Sequence, residues 1–269
     1  MLYQHGGIAA IRSNDSLQRA VGWTSYHYAT IMREMPFYHL EPSINSDYPE
    51  ELLLEAARSA PTSILSIPTH GFEIYNILHR IHRLGLAVSP PWLGNVDSVA
   101  VSNTLHEAEY DMIVLSARLA AEGDGPDEES NIASALLVGS QLFLYAALRM
   151  IPLGSRSCKI LLGRLIVSLT RDDLFEAWAE QCSLEALLWV ICMGLLVALD
   201  ENSKIRLQQY VKESVELLRV TDYDDLEDIL KNYAWSSLCR TRIEQVWNEI
   251  SAPPLVIEVS DLETGLIER

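Results

Sequence analysis

Few residues in this sequence have the type and spacing to do chemistry, and the densest group is aromatic. The stretch GWTSYHYATIMREMPFYH carries Trp23, Tyr26, His27 and Tyr28, followed by Phe37, Tyr38 and His39. On a helix, Trp23, Tyr26 and His27 share one face. Such a face lines an apolar pocket with a few hydrogen-bonding tips. In that pocket His27 or Tyr26 would donate a proton to a substrate carbonyl. Trp23, Tyr110, Trp189 and Trp235 would contact the ligand. The same spacing also describes an aromatic packing face in a core, and the pattern leaves both readings open.

Two further groups invite a metal. His79 and His82 stand three apart in YNILHRIHRLG, which puts both rings on one helix face, as a metal site requires. His70, His106 and Glu107 are candidate third ligands, but no spacing ties them to the pair, and Arg80 and Arg83 beside it oppose a cation. Asp222 to Asp228 contains DDLED, the string with which terpene cyclases hold magnesium and diphosphate. No second metal-binding motif follows it, and DDLFE at Asp172 to Glu176 is equally short. Aspartates at helix N-termini explain both strings. The sequence therefore predicts no metal site. It also holds no G-x-G-x-x-G, P-loop lysine, G-x-S-x-G or H-E-x-x-H motif, and no cofactor is called for.

The elements that position these residues are helices. Apolar residues recur with helical period over Leu17–Arg33, Glu50–Ala60, Phe72–Leu86, Asp97–Ala121, Asn131–Met150 and Cys158–Leu169. They do so again over Asp172–Ala179, Leu184–Leu199, Lys204–Val220, Leu226–Trp235 and Leu238–Ile250. Asn14 or Asp15 suits the first N-cap. Pro254 to Val259 is the one strand-like run. The breaks are short, so the sequence predicts an all-α fold, a single multi-helix bundle of roughly ten helices spanning 1–269. An acidic surface loop is expected at 122–130 (EGDGPDEES) and a C-terminal tail at 251–269.

Composition narrows the function. The 269 residues are 49% apolar, enough for a real core. Lys plus Arg number 20 against 37 Asp plus Glu, a net charge of −17, which repels phosphate and argues against direct nucleic-acid binding. Ala186 to Leu199, the longest apolar run, is too short for a membrane span. Cys158, Cys182, Cys192 and Cys239 are dispersed, as buried free thiols of a reducing compartment are. The opening MLYQHGGIAAIRSNDS lacks the features of a secretory signal. An intracellular protein, nuclear or cytoplasmic, is the expectation.

The aromatic region also carries a family resemblance. MLYQHGGIAAIRSNDSLQRAVGWTSYHYATIMREMPFY resembles a segment of the large regulatory domain of fungal zinc-cluster transcription factors, with His5, Gly6, Gly7, Trp23, Pro36 and Phe37 at the matching positions. YAWSSLCRTRIEQVWNEI, with Cys239 and Trp247, is similar to that family's closing helix. The family's DNA-reading module has six closely spaced cysteines and a basic linker; this sequence has four dispersed cysteines and no such linker. The resemblance thus implies the regulatory half without the half that touches DNA. It would bind a small-molecule metabolite, a protein partner or a second copy of itself as a homodimer. The alternative is an enzyme derived from that bundle in fungal secondary metabolism. It would be a metal-independent cyclase, pericyclase or isomerase that holds one substrate conformer and donates a hydrogen bond.

Overall fold

The computed structural model describes residues 14–40, 46–122 and 128–251. Within them the helical periodicity becomes eleven α-helices and no strand. They are α1 (Asp15–Met32), α2 (Glu50–Ser59), α3 (Gly71–Ala87), α4 (Ser98–Glu122), α5 (Glu128–Phe143), α6 (Arg156–Ser168), α7 (Leu174–Gln181), α8 (Leu184–Val197), α9 (Glu201–Leu218), α10 (Tyr223–Lys231) and α11 (Ser237–Ser251). A 3₁₀ turn, Thr62–Ser66, links α2 to α3. The expected all-α bundle is what forms. His5, Gly6, Gly7, the strand-like run and nearly all of the tail lie outside the described residues. Only the ends of the acidic loop are described, and both are helical.

The helix ends show why the boundaries differ from the periodicity. Asn14, Asp200 and Asp222 accept from the backbone N–H groups of Leu17, Ser203 and Asp225. Each caps a helix a few residues ahead of its first apolar position. Asp222 and Asp225 thus spend their carboxylates on the start of α10, as aspartates at a helix N-terminus do.

The apolar run becomes the axis of the bundle. Every residue of α8 from Ala186 to Val197 is buried, because α5, α6, α9 and α11 surround it. Ser183 starts it by accepting from Glu185 N and Ala186 N at 3.1 and 3.2 Å. Among the described residues no helix is long and apolar enough to cross a membrane.

α3 packs against the α10–α11 connection, and a glycine sets the approach. A Cβ on Gly85 would stand 2.6 Å from the Trp235 carbonyl oxygen, a backbone atom. Gly85→Ala is expected to lower the unfolding free energy by about 1–3 kcal/mol, read as an earlier urea midpoint. An unchanged midpoint would mean the connection moves freely.

Candidate functional site

Polar side chains fasten the aromatic helix to the bundle. Arg19 donates from Nη1 to Ser102 Oγ at 2.7 Å and from Nη2 to Asn103 Oδ1 at 2.9 Å, tying α1 to α4. At the other end Arg164 of α6 donates to the carbonyl oxygens of Thr30 and Ile31 at 2.6 and 2.7 Å. These are acceptors that a helix C-terminus leaves free. Between the two ties, Tyr26, Ala29 and Ile113 form a small apolar cluster with Tyr110 packed on it.

Next to that cluster lies a buried polar chain. Glu109 of α4 is wholly buried. Arg149 donates through Nη2 to Glu109 Oε2 and, at 3.3 Å, to His106 Nδ1. Burial holds the Glu109 carboxyl above the ordinary carboxylate range, against the pull of Arg149 and of the Tyr145 hydroxyl. Burial, then the Arg149 charge, pushes His106 down to about 3, so it accepts as a neutral imidazole. The Tyr145 hydroxyl also lies 3.1 Å from Thr30 Oγ1. Burial first, then the Glu109 charge, holds that phenol well above its usual value. Glu109 Oε1 and Arg149 Nε have no partner in good hydrogen-bond geometry among the described residues.

The backbone that delivers Tyr145 and Arg149 is unusual. After Phe143 the helix widens into a single π turn, Leu144–Leu148. Arg149 N donates to Leu144 O at 2.8 Å, five residues back. Such turns concentrate at functional sites. The periodicity predicted one helix through Met150; the extra residue in the turn re-aims its last side chains.

Arg149 also lies in the wall of a cavity of about 540 Å³. Trp23, Leu93, Val101, Leu105, Leu148 and Ile151 make half of the rest. The cavity is an apolar cleft with a guanidinium in its wall, the arrangement that binds an apolar body with one acceptor oxygen. A second cavity, of about 700 Å³, begins where the first ends along α3: Gly85 and Leu86 line the second, Ala87 and Val88 the first.

The six residues that the sequence joins in one site stand in several places. Trp23, 43% exposed, lines the first cavity. His27 lies 5.8 Å from it, centroid to centroid, and its Nε2 is 2.9 Å from Ser157 Oγ. Burial lowers the His27 pKa. Tyr26 is fully buried, and its hydroxyl accepts from Leu40 N at 3.2 Å. Burial above all pushes that phenol up to about 12. Neither His27 nor Tyr26 is among the residues lining these two cavities. Tyr110 packs against Tyr26 and stacks on His39 at 4.0 Å. Trp189 is in the core, donating from Nε1 to Ala234 O at 2.9 Å. Trp235 lines the second cavity.

The histidine pair divides too. His79 stacks on Tyr75, while His82 Nε2 meets Ser59 Oγ at 2.7 Å. Among the described residues no group of three His, Cys, Asp or Glu side chains is placed to hold a metal ion. Glu109 and Arg149 escape the sequence reading. The one signal for Glu109 is its phase: it falls among Ala108, Met112 and Leu115, which face the core. A carboxylate there needs a buried partner. Compared with known proteins, the chain matches no family model, no curated protein and no solved structure.

Proposed function

We propose that this chain is a small-molecule-binding helical domain of the kind found in fungal transcription regulators, working through a partner and not by touching DNA. The observation that carries this reading is the cavity beside Trp23, apolar on most sides and bounded by Arg149. It fits a metabolite with an apolar body and a carbonyl or carboxylate oxygen. The net charge of −17 disfavours phosphate and leaves protein partners open. Tyr28, Met32, Met35 and Phe37, all about half exposed or more, give α1 and the segment after it an apolar surface suited to a protein partner or a second copy. A nuclear or cytoplasmic setting belongs to the same proposal. Binding is favoured over a cofactor-free cyclisation or isomerisation because the Tyr26 hydroxyl and the His27 ring are already engaged by Leu40 and Ser157.

Anilinonaphthalene sulfonate, an apolar ring system with one anionic head, is the probe that tests the cavity. Its fluorescence is expected to rise saturably with the folded chain. Trp23→Ala is expected to raise the Kd about tenfold, a loss of about 1.4 kcal/mol. Val101→Phe, which fills the wall, does the same. If the wild type gives no saturable rise, or both variants keep the wild-type Kd, the cavity is not the binding site. Deleting the gene and reading transcripts and metabolites from one culture separates the classes: a gene set falling together supports regulation. Steady transcripts with one accumulating intermediate would overturn it in favour of an enzyme.

A further inference from the structure

The second cavity holds a close serine–histidine contact, and ligand binding beside Trp23 makes no use of it. Ser59 is the last residue of α2, half-buried, and lines that cavity. Its Oγ lies 2.7 Å from Nε2 of His82. The ring of His82 is 2% exposed, yet it also reaches the cavity wall. A hydrogen bond to the Tyr233 backbone carbonyl engages the ring. In the tautomer that donates from Nδ1 to that carbonyl, Nε2 carries the lone pair that faces the serine hydroxyl. A nucleophile, a base and a group orienting the base, each from a different element, are the parts of an acyl-transfer site.

The support around the pair is rigid. The Tyr233 hydroxyl lies 3.2 Å from Ser183 Oγ and 3.4 Å from Ser63 Oγ, and its ring stacks on the buried Trp189. The carbonyl that aims His82 therefore belongs to a residue anchored in the core. Trp92, also in the lining, is fixed by donating from Nε1 to Glu55 Oε2 at 2.8 Å. Ser59 Oγ also lies 2.9 Å from Glu55 O, the usual helical back-bond. One hydroxyl proton serves one acceptor at a time, and the contact to His82 is the shorter. Arg58 and Lys231 in the lining balance Glu51 and Glu55, so the cavity suits an uncharged substrate.

We propose that Ser59 and His82 act as nucleophile and general base in the cleavage of an uncharged carboxylic ester. Ser59 Oγ bonds to the carbonyl carbon while its proton passes to His82 Nε2. The carbonyl oxygen becomes an oxyanion, for which Arg58 and Asn232 are among the donors in the lining. The bond to the alkoxy oxygen breaks, and His82 returns the proton to the departing alcohol. Water then gives a proton to His82 and adds its oxygen to the acyl carbon. The bond to Ser59 breaks, the hydroxyl regains its proton, and the carboxylic acid leaves.

Burial, with the charge of His79 adding to it, pushes His82 down to about 4. The titratable groups around it are His79 on α3, Glu51, Glu55 and Arg58 from α2, and Lys231 from α10. The imidazole is therefore unprotonated at neutral pH and a weak base, so turnover is slow. Its rate is flat from about pH 6 to 8, where hydroxide-driven hydrolysis climbs about tenfold per pH unit.

The test uses the purified full chain with p-nitrophenyl butyrate and, separately, with a fluorophosphonate label. The label is expected on the Ser59 peptide by mass spectrometry. Ser59→Ala is expected to abolish it and to lower the protein-dependent hydrolysis rate at least about 10²-fold. Its helical circular dichroism and melting are expected to stay those of the wild type, since Ser59 is partly exposed at a helix end. Ser59→Cys supplies a second readout: its thiol takes up iodoacetamide at a site where the wild type does not. No adduct at Ser59 on the folded wild type, or hydrolysis by Ser59→Ala at the wild-type rate, overturns the proposal. Neither outcome bears on the cavity beside Trp23, which the naphthalene probe reads separately.

Discussion

Arg149→Met is expected to lower the unfolding free energy by about 3–5 kcal/mol. The loss comes from the residue left behind. Glu109 is wholly buried, and among the described residues Arg149 is the one cation bonded to its carboxyl. Met fills much of the volume of the arginine stem but leaves the carboxylate among the side chains of α1, α4 and the π turn. An unpaired buried charge costs more than the pair gains over an apolar replacement. The double variant Arg149→Met, Glu109→Leu is therefore expected to recover most of the loss. Urea unfolding followed by circular dichroism measures all three proteins. If the single variant lost less than about 1 kcal/mol, the pair would be idle in the folded state.

The same pair sets a pH dependence with a definite sign. The folded-state pKa of Glu109 is raised, mainly by burial. A carboxyl with a raised folded pKa destabilises the fold wherever it is ionised. That penalty is removed as the pH falls through the folded value and the group takes up a proton. The Arg149 charge is the strongest influence drawing this pKa back down, so without it the variant's carboxyl stands higher than the wild type's. The gap between Arg149→Met and wild type is expected to narrow steadily from neutral to mildly acidic pH. A constant or widening gap would show that Glu109 does not bear the uncompensated charge.

The sequence carried the helices because each is amphipathic or uniformly apolar, and its breaks fall at caps and turns. Asn14 is a cap by residue type alone, and the structure uses it as one. Ala186 to Val197 is buried all round because nothing in it is polar. The site was less legible, for two physical reasons. First, periodicity assumes a constant twist, and the π turn at Leu144–Leu148 breaks it just where Tyr145 and Arg149 acquire their directions. Second, the useful contacts are long-range: Ser59 meets His82, and Arg149 meets Glu109, through packing that no local spacing records. The aromatic stripe, which the spacing leaves open between a pocket wall and a packing face, serves both ends. Trp23 is left toward a cavity, while Tyr26 is spent on docking α1.

That division gives the second large effect. Trp189→Ala is expected to lower the unfolding free energy by about 3–5 kcal/mol. The indole is fully buried in the most apolar helix, stacked on Tyr233 at 5.8 Å, and supplies the N–H that satisfies the Ala234 carbonyl. Truncation opens a cavity and orphans that acceptor, so two separate losses add. Trp189→Phe keeps a ring beside Tyr233 and loses the N–H, and is expected to cost about 1–3 kcal/mol. Neither change touches the wall beside Trp23, so the affinity of Trp189→Phe for the naphthalene probe is expected to equal that of the wild type. Trp23→Ala is expected to give the opposite pair of results: weaker binding and little change in the urea midpoint, because its ring is 43% exposed. If Trp189→Phe instead weakened binding at unchanged stability, the indole would belong to a ligand pocket, and the assignment of core and cavity between these two tryptophans would have to be reversed.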